Sequence, residues 1–210
     1  MISIPFEVLS VFVMASVALG FAPGPDNIFV LTQSAMNGRA AGLIVTLGLC
    51  SGLIVHTAAV ALGVAAIFAT SETAFTVLKM IGAGYLLYLA YKAFRAGVTS
   101  IPAHGLPKVP ALKLYLRGVI MNITNAKVAI FFLAFLPQFA DPARGSVTLQ
   151  IFVFGLVFMM ATIIVFGGIA LFAGALGERL AGSVRAQKIL NWVAGAVFVG
   201  LAARLLIAER

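Results

Sequence analysis

Long apolar runs separated by short polar links set the pattern of this chain. The runs predict six helical spans at roughly 8–36, 41–69, 76–95, 113–137, 147–177 and 188–207. A helix needs about 20 residues to cross the ~30 Å hydrocarbon core of a bilayer, and each run reaches that length. The links are Asn37-Gly38-Arg39, Ser71-Glu72-Thr73, Asp141-Pro142-Ala143-Arg144 and Gly177-Glu178-Arg179. One connector is longer, from Gly97 to Pro110, and its Pro102, Pro107 and Pro110 break it too often for a helix. It divides the chain into two halves of three spans, 1–96 and 112–210, joined by 97–111. Transmembrane strands would alternate over about ten residues, and no such segments occur.

Two of the six spans are interrupted. In the first, Gly20-Phe21-Ala22-Pro23-Gly24-Pro25-Asp26-Asn27 places two prolines and two glycines inside an apolar run. Proline removes a backbone donor and clashes with the preceding turn, so no unbroken helix passes through it. In the fourth, the interruption falls at Asn122-Ile123-Thr124-Asn125-Ala126-Lys127. About eleven or twelve residues of helix follow each break, roughly 17 Å, which is half of the hydrocarbon core. Both breaks therefore lie near the bilayer centre, where irregular backbone is tolerated only inside protein or beside a watery cavity. Discontinuous helices at that depth point to a transporter's binding site.

An internal repeat supports the two halves. A shift of about a hundred positions sets Pro25-Asp26 against Ala126-Lys127 and Gly52-Leu53-Ile54 against Gly155-Leu156-Val157. Lys79 and Arg95 bracket the third span as Lys188 and Arg204 bracket the sixth. Three spans per half make the second half inverted relative to the first. The expected fold is thus all-α and membrane-integral, with six helices as two inverted three-helix repeats and the first and fourth helices broken.

Composition and charge sharpen this picture. The chain of 210 residues is 62% hydrophobic and 10% charged, far from the roughly 25% charge of soluble domains. Its net charge of +8 lies at span ends, which argues for lipid headgroups and against nucleic acid. Nine of the 14 Lys and Arg flank the first, third and fifth connections. By the positive-inside bias these connections face the cytoplasm and both termini face outside. The single cysteine, Cys50, excludes an internal disulfide or thiolate cluster. The first residues lack the basic region of a cleaved signal, so the first span is expected to be retained. No cofactor and no metal site is expected.

The candidate chemistry gathers at the breaks. Pro25 suits a first helical position, Asn125 suits an N-cap, and Asp26 sits well in a first turn. Lys127 stands in the equivalent place, where a cation needs a compensating anion. Asp26 and Lys127 are expected to face one another as an ion pair that a zwitterionic amino acid displaces, its ammonium on Asp26 and its carboxylate on Lys127 and free helix N–H groups. Asn27, Asn122 and Asn125 are expected to add hydrogen bonds, and Pro23, Gly24 and Pro25 to bind substrate as the wall of the site. Gln33, seven residues after Asp26, lies on the same helix face, as polar glue or as pore lining. His56, mid-span, is either a structural hydrogen-bonder or a proton relay. Gly42, Gly48 and Gly52 make a close-packing face, within the chain or between two copies of it. Pro137-Gln138-Phe139 is expected to stop the fourth span at the interface.

Several of these pieces, in order, resemble the LysE/RhtB family of bacterial amino-acid exporters over nearly the whole chain. They are Ala22-Pro23-Gly24-Pro25-Asp26-Asn27, Asn37-Gly38-Arg39-Ala40-Ala41-Gly42-Leu43, Leu53-Ile54-Val55-His56-Thr57, Gly84-Tyr85-Leu86-Leu87, Asn122-Ile123-Thr124-Asn125-Ala126-Lys127 and Phe135-Leu136-Pro137-Gln138-Phe139. The chain departs from the family at Ala126, where proline is usual, and at Asp26, where asparagine is frequent. The resemblance implies export of amino acids or derivatives across the bacterial plasma membrane, driven by protons, closer to the homoserine/threonine/leucine-type branch. Neutral substrates fit better than basic ones, which would want more carboxylates than Asp26 alone. The rival readings are an ion or metal transporter of the wider superfamily, a membrane-embedded enzyme and a structural membrane subunit. The first lacks clustered ligands, the second a nucleophile–base set, and the third gives no reason for two matched breaks.

Overall fold

The computed structural model describes residues 3–22, 24–70, 72–97, 109–181 and 184–207. Pro23, Ser71 and residues 98–108 of the long connector lie outside the described residues. Among the described residues there are eight α-helices and no strand: α1 (Phe6–Phe21), α2 (Pro25–Asn37), α3 (Arg39–Thr70), α4 (Glu72–Arg95), α5 (Ala111–Ile123), α6 (Ala126–Ile130), α7 (Val147–Ala181) and α8 (Val184–Ile207).

Both expected interruptions are present. α1 and α2 meet at 59°, and α5 meets the segment Ala126–Phe139 at 48°. Pro25 opens α2 as its first residue, where its missing N–H costs nothing. Gly24 precedes it with extended backbone, φ −173°. Asn125 caps α6, its side-chain oxygen accepting the N–H of Lys127 at 3.0 Å. Beyond α6 the helix does not stay regular. Phe131–Phe135 forms a π-helical turn, with the N–H of Leu136 donating to Phe131 O, and Leu136–Phe139 a 3-10 turn. Pro137 has no N–H for Leu133 O, so the ladder must change register there. The span ends at Phe139, as its proline suggested.

Three described helical stretches, in α3, α7 and α8, are long and apolar enough to cross a bilayer, or five if each bent pair is one span. α4 has 24 residues, about 36 Å of helix. α7 does not stop at the expected Gly177-Glu178-Arg179 link but runs on to Ala181. A single glycine next to two good helix formers is too weak a breaker there. Between α2 and α3 the chain reverses at Gly38, whose φ of +88° is open to glycine and strained for other residues.

Helix α3 packs against α5, α7 and α2, α4 packs against α8, and α1 lies on α7. Small residues make the α3–α5 approach possible. A methyl group at Gly118 would lie 2.6 Å from Val45 O and 3.1 Å from the Cα of Gly48. Gly42 abuts Ser34 and Gly52 abuts Asn122, so the glycine face of α3 is used inside the chain rather than between copies.

The apolar interior has two parts. A larger cluster holds eight phenylalanines, Phe12, Phe131, Phe132, Phe135, Phe139, Phe154, Phe158 and Phe198, with aliphatic residues of α3, α4 and α8. Its rings stack edge-on or tilted at 4.8–6.4 Å, the geometry their quadrupoles favour. A smaller, mainly aliphatic cluster joins Val30, Val45, Leu49, Leu114, Val165, Phe166 and Ile169.

Candidate functional site

The two breaks come together through side-chain bonds that link residues about a hundred positions apart in the chain. Asn122 Nδ2 donates to Asp26 Oδ2 at 3.4 Å. Lys127 Nζ donates to Leu19 O at 3.2 Å and to Ala22 O at 3.1 Å. Asp26 and Asn122 are each 2% exposed, Asn125 6% and Lys127 7%, so the centre is closed to solvent.

The expected direct ion pair is not formed. No ion pair joins Asp26 and Lys127 among the described residues, although the two lie close together beside Asn122, Asn125 and His56. The amine is held instead by the C-terminal end of α1. The last carbonyls of any helix lack intrahelical donors and carry partial negative charge. At Leu19 the shortage is built into the sequence: its helical donor would be residue 23, and proline has no N–H. The lysine thus completes a helix end contributed by the other half of the chain. Gly24 lies against this contact, and a methyl group there would sit 2.9 Å from Nζ, so the amine would have to shift to admit one.

Asn27 is occupied with the same task. Its Nδ2 donates to Ala22 O at 2.8 Å, with Gly20 O and Phe21 O at 3.3 and 3.4 Å. Its Oδ1 accepts the N–H of Gly24 at 2.8 Å. It fastens α1 to α2 across the break, and its amide is spent on backbone rather than left for a ligand. Gln33 is buried away from the break, its Oε1 accepting Asn37 Nδ2 at 3.0 Å. His56 is half-buried, and its Nε2 lies 3.1 Å from Asn122 O. A carbonyl only accepts, so Nε2 carries the hydrogen and Nδ1 is the nitrogen open to a second proton. His56 therefore touches the α5 end of the break, at the backbone of the residue whose side chain is bound to Asp26.

Three buried polar atoms in this centre, Asp26 Oδ1, Asn122 Oδ1 and Asn125 Nδ2, make no hydrogen bond within 3.5 Å, although the Asn125 side chain lies near enough to the Asp26 carboxylate to interact with it. Leaving such atoms dry costs about 1–3 kcal/mol each, so a group of them calls for a polar guest. Two acceptors, one of them ionisable, suit an ammonium, and the amide nitrogen suits a carboxylate or carbonyl oxygen. Pro23, expected in the wall, lies outside the described residues; Gly24 and Pro25 stand at the opening of α2. Among the described residues no three His, Cys, Asp or Glu side chains gather in one place.

This arrangement defines a class: an all-helical membrane protein with a closed polar centre held between two interrupted helices. Within that class the chain belongs to the LysE type translocator family, which matches residues 17–209. It is 29% identical to a homoserine/homoserine lactone efflux protein of Salmonella typhimurium over 205 residues, 97% of this chain and 98% of that one. It is 31% identical to an uncharacterized membrane protein of Vibrio cholerae over 201 residues, 94% and 96% of the two chains. A leucine efflux protein of Salmonella choleraesuis is 26% identical over 195 residues, 92% of each. No solved structure matches the chain.

Proposed function

We propose that this protein is a secondary transporter that exports neutral amino acids, or close derivatives of them, from the bacterial cytoplasm in exchange for protons. The observation that carries the reading is the trio of unpartnered atoms, Asp26 Oδ1, Asn122 Oδ1 and Asn125 Nδ2, at the junction of two broken helices. The substrate's ammonium binds Asp26 and Asn122 Oδ1, and its carboxyl group binds Asn125 Nδ2. Lys127 balances the charge of Asp26 and leaves the α1 carbonyls for the substrate carboxylate as the carrier opens. With one acid and one base in the centre, a net-neutral zwitterion is the guest that keeps it neutral. The names of the relatives, homoserine and leucine efflux proteins, point the same way.

The chain spans the plasma membrane six times as two inverted repeats, 1–96 and 112–210, with both termini outside and the 97–111 connector in the cytoplasm. Support comes from the packing, where α3 with α7 and α4 with α8 pair equivalent spans of the two halves, an arrangement compatible with a two-fold axis in the membrane plane. His56 carries the coupling proton on Nδ1 and reports it to Asp26 through Asn122.

Uptake of radiolabelled amino acids into inverted vesicles, with and without an uncoupler, tests the proposal. Neutral amino acids should accumulate, and the uncoupler should abolish the gradient. Uncoupler-insensitive accumulation would remove the proton step, and transport of a metal ion in place of any amino acid would favour the ion-transporter reading.

A further inference from the structure

Far from the paired breaks, a cleft of about 550 Å³ opens between the end of the broken fourth helix and the last turn of α8. Its walls are Phe135, Phe139, Leu205 and Ile207, and its polar groups are Gln138 and Arg204. The guanidinium of Arg204 lies over the ring of Phe139, 5.1 Å from its centroid. No acid pairs with Arg204 among the described residues; the neighbouring loop's Asp141 is already bound to Arg144 at 2.8 Å. Gln138 lines the cleft, but its unpartnered Nε2 is buried behind the surface. The cleft thus offers the guanidinium of Arg204 without an acceptor, against a wall of rings and aliphatic chains, and its rim residue Ile207 is 78% exposed.

We propose that this cleft binds one anionic phospholipid, its phosphodiester on Arg204 and its first acyl carbons against Phe135, Leu205 and Ile207. A guanidinium matches phosphate oxygens with two parallel N–H bonds. The apolar wall fits an acyl chain and has nothing to offer a free anion. Charge complementarity also selects the headgroup. An ethanolamine lipid would bring its ammonium beside Arg204 with no unpaired acid among the described residues of the cleft to receive it, whereas a glycerol headgroup adds no positive charge.

The test uses the full chain purified in a neutral detergent, with phosphatidylglycerol or phosphatidylethanolamine of identical acyl chains added and bound lipid counted by native mass spectrometry. One phosphatidylglycerol per chain should be retained, about tenfold more tightly than the ethanolamine lipid, as one charge-assisted contact implies. Arg204→Gln, which keeps the stem over Phe139, should lose that tenfold and the preference with it, while Lys188→Gln, at the other end of α8, changes neither. Equal binding of both lipids by the unaltered chain, or an unchanged preference in Arg204→Gln, overturns the assignment. Displacement of the lipid by a free amino acid at millimolar concentration also overturns it, making the cleft a port for exported substrate. Should Arg204→Gln fail to accumulate, Arg204→Lys reads the same contact, keeping the charge and losing the two parallel N–H bonds: a loss of about threefold supports the site, and no change sinks it.

Discussion

Replacing Lys127 by methionine keeps much of the side chain's length and removes the amine on which Leu19 O and Ala22 O both depend. The two carbonyls are not equally exposed to the loss. Ala22 O keeps the amide of Asn27 at 2.8 Å. Leu19 O keeps nothing in its helix, because the residue four places on is Pro23. Bonds from a charged donor net about 1.5–3 kcal/mol each, and the change also leaves Asp26 without its nearest balancing charge. Breaking a buried ionic arrangement from one side costs about 3–5 kcal/mol. For a chain of this size each kcal/mol moves the melting point by about 2–4 °C, so Lys127→Met should melt about 10 °C lower. Thermal unfolding in detergent is the assay, run also on Asp26→Asn and on the double variant. If the two charges balance each other without touching, the double variant regains part of the loss, with a coupling of about 1 kcal/mol or more. A single Lys127→Met that melts within about 2 °C of the parent would refute the argument, since the amine would then be completing nothing.

The remaining expectations concern transport, packing and pH. Asp26→Asn and Lys127→Ala should each abolish amino-acid export in vesicles while the chain still inserts in the membrane; normal flux in either discards its place in the binding centre. His56→Gln retains an N–H for Asn122 O but cannot take a second proton, so any flux it keeps should no longer respond to an uncoupler. Gly118→Ala forces a methyl group against Val45 O and should cost about 1–3 kcal/mol in stability. Gly63→Ala meets nothing within 4 Å and serves as the control. In the loop outside the spans, the N–H of Ala143 and then the guanidinium of Arg144 hold the carboxyl of Asp141 below the usual carboxylate range. The sign follows: this loop contact is complete above the ordinary aspartate pKa and is lost as the pH falls through the depressed one. Carboxyl NMR of labelled aspartate should find that low titration, and Arg144→Gln should move it upward.

Much of the architecture is legible in the order of the residues alone. Proline and glycine mark the first break to within a residue, because Pro25 can open a helix and cannot sit inside one. Asn125 reads equally directly as a cap. Helix ends are harder to place where no such residue stands, and α7 passes through a glycine that looks like a stop. The shape after α6 is illegible for another reason: the π turn and the 3-10 turn depend on how the ladder absorbs Pro137 among packed rings. At the centre, the right residues are identifiable by their cost in lipid, but their partners are not. Opposite charges in matching positions suggest a salt bridge, whereas the strongest demand on Lys127 comes from uncapped carbonyls. That demand is written in the four-residue distance from Leu19 to Pro23, a count about backbone rather than side chains. The bonds by which Asn27 mends the break are hidden for the same reason, since they too run to backbone groups.

The anchoring of α1 by a lysine 105 residues further along has a consequence for how the protein is made. At about 5–20 residues per second, ribosomes need some 5–20 s to add that stretch. During this interval the early hairpin sits in the membrane with a frayed, unsealed corner that water or a chaperone must shield. Synthesis of the second half is therefore a repair of the first, and neither half expressed alone should persist as a stable membrane species.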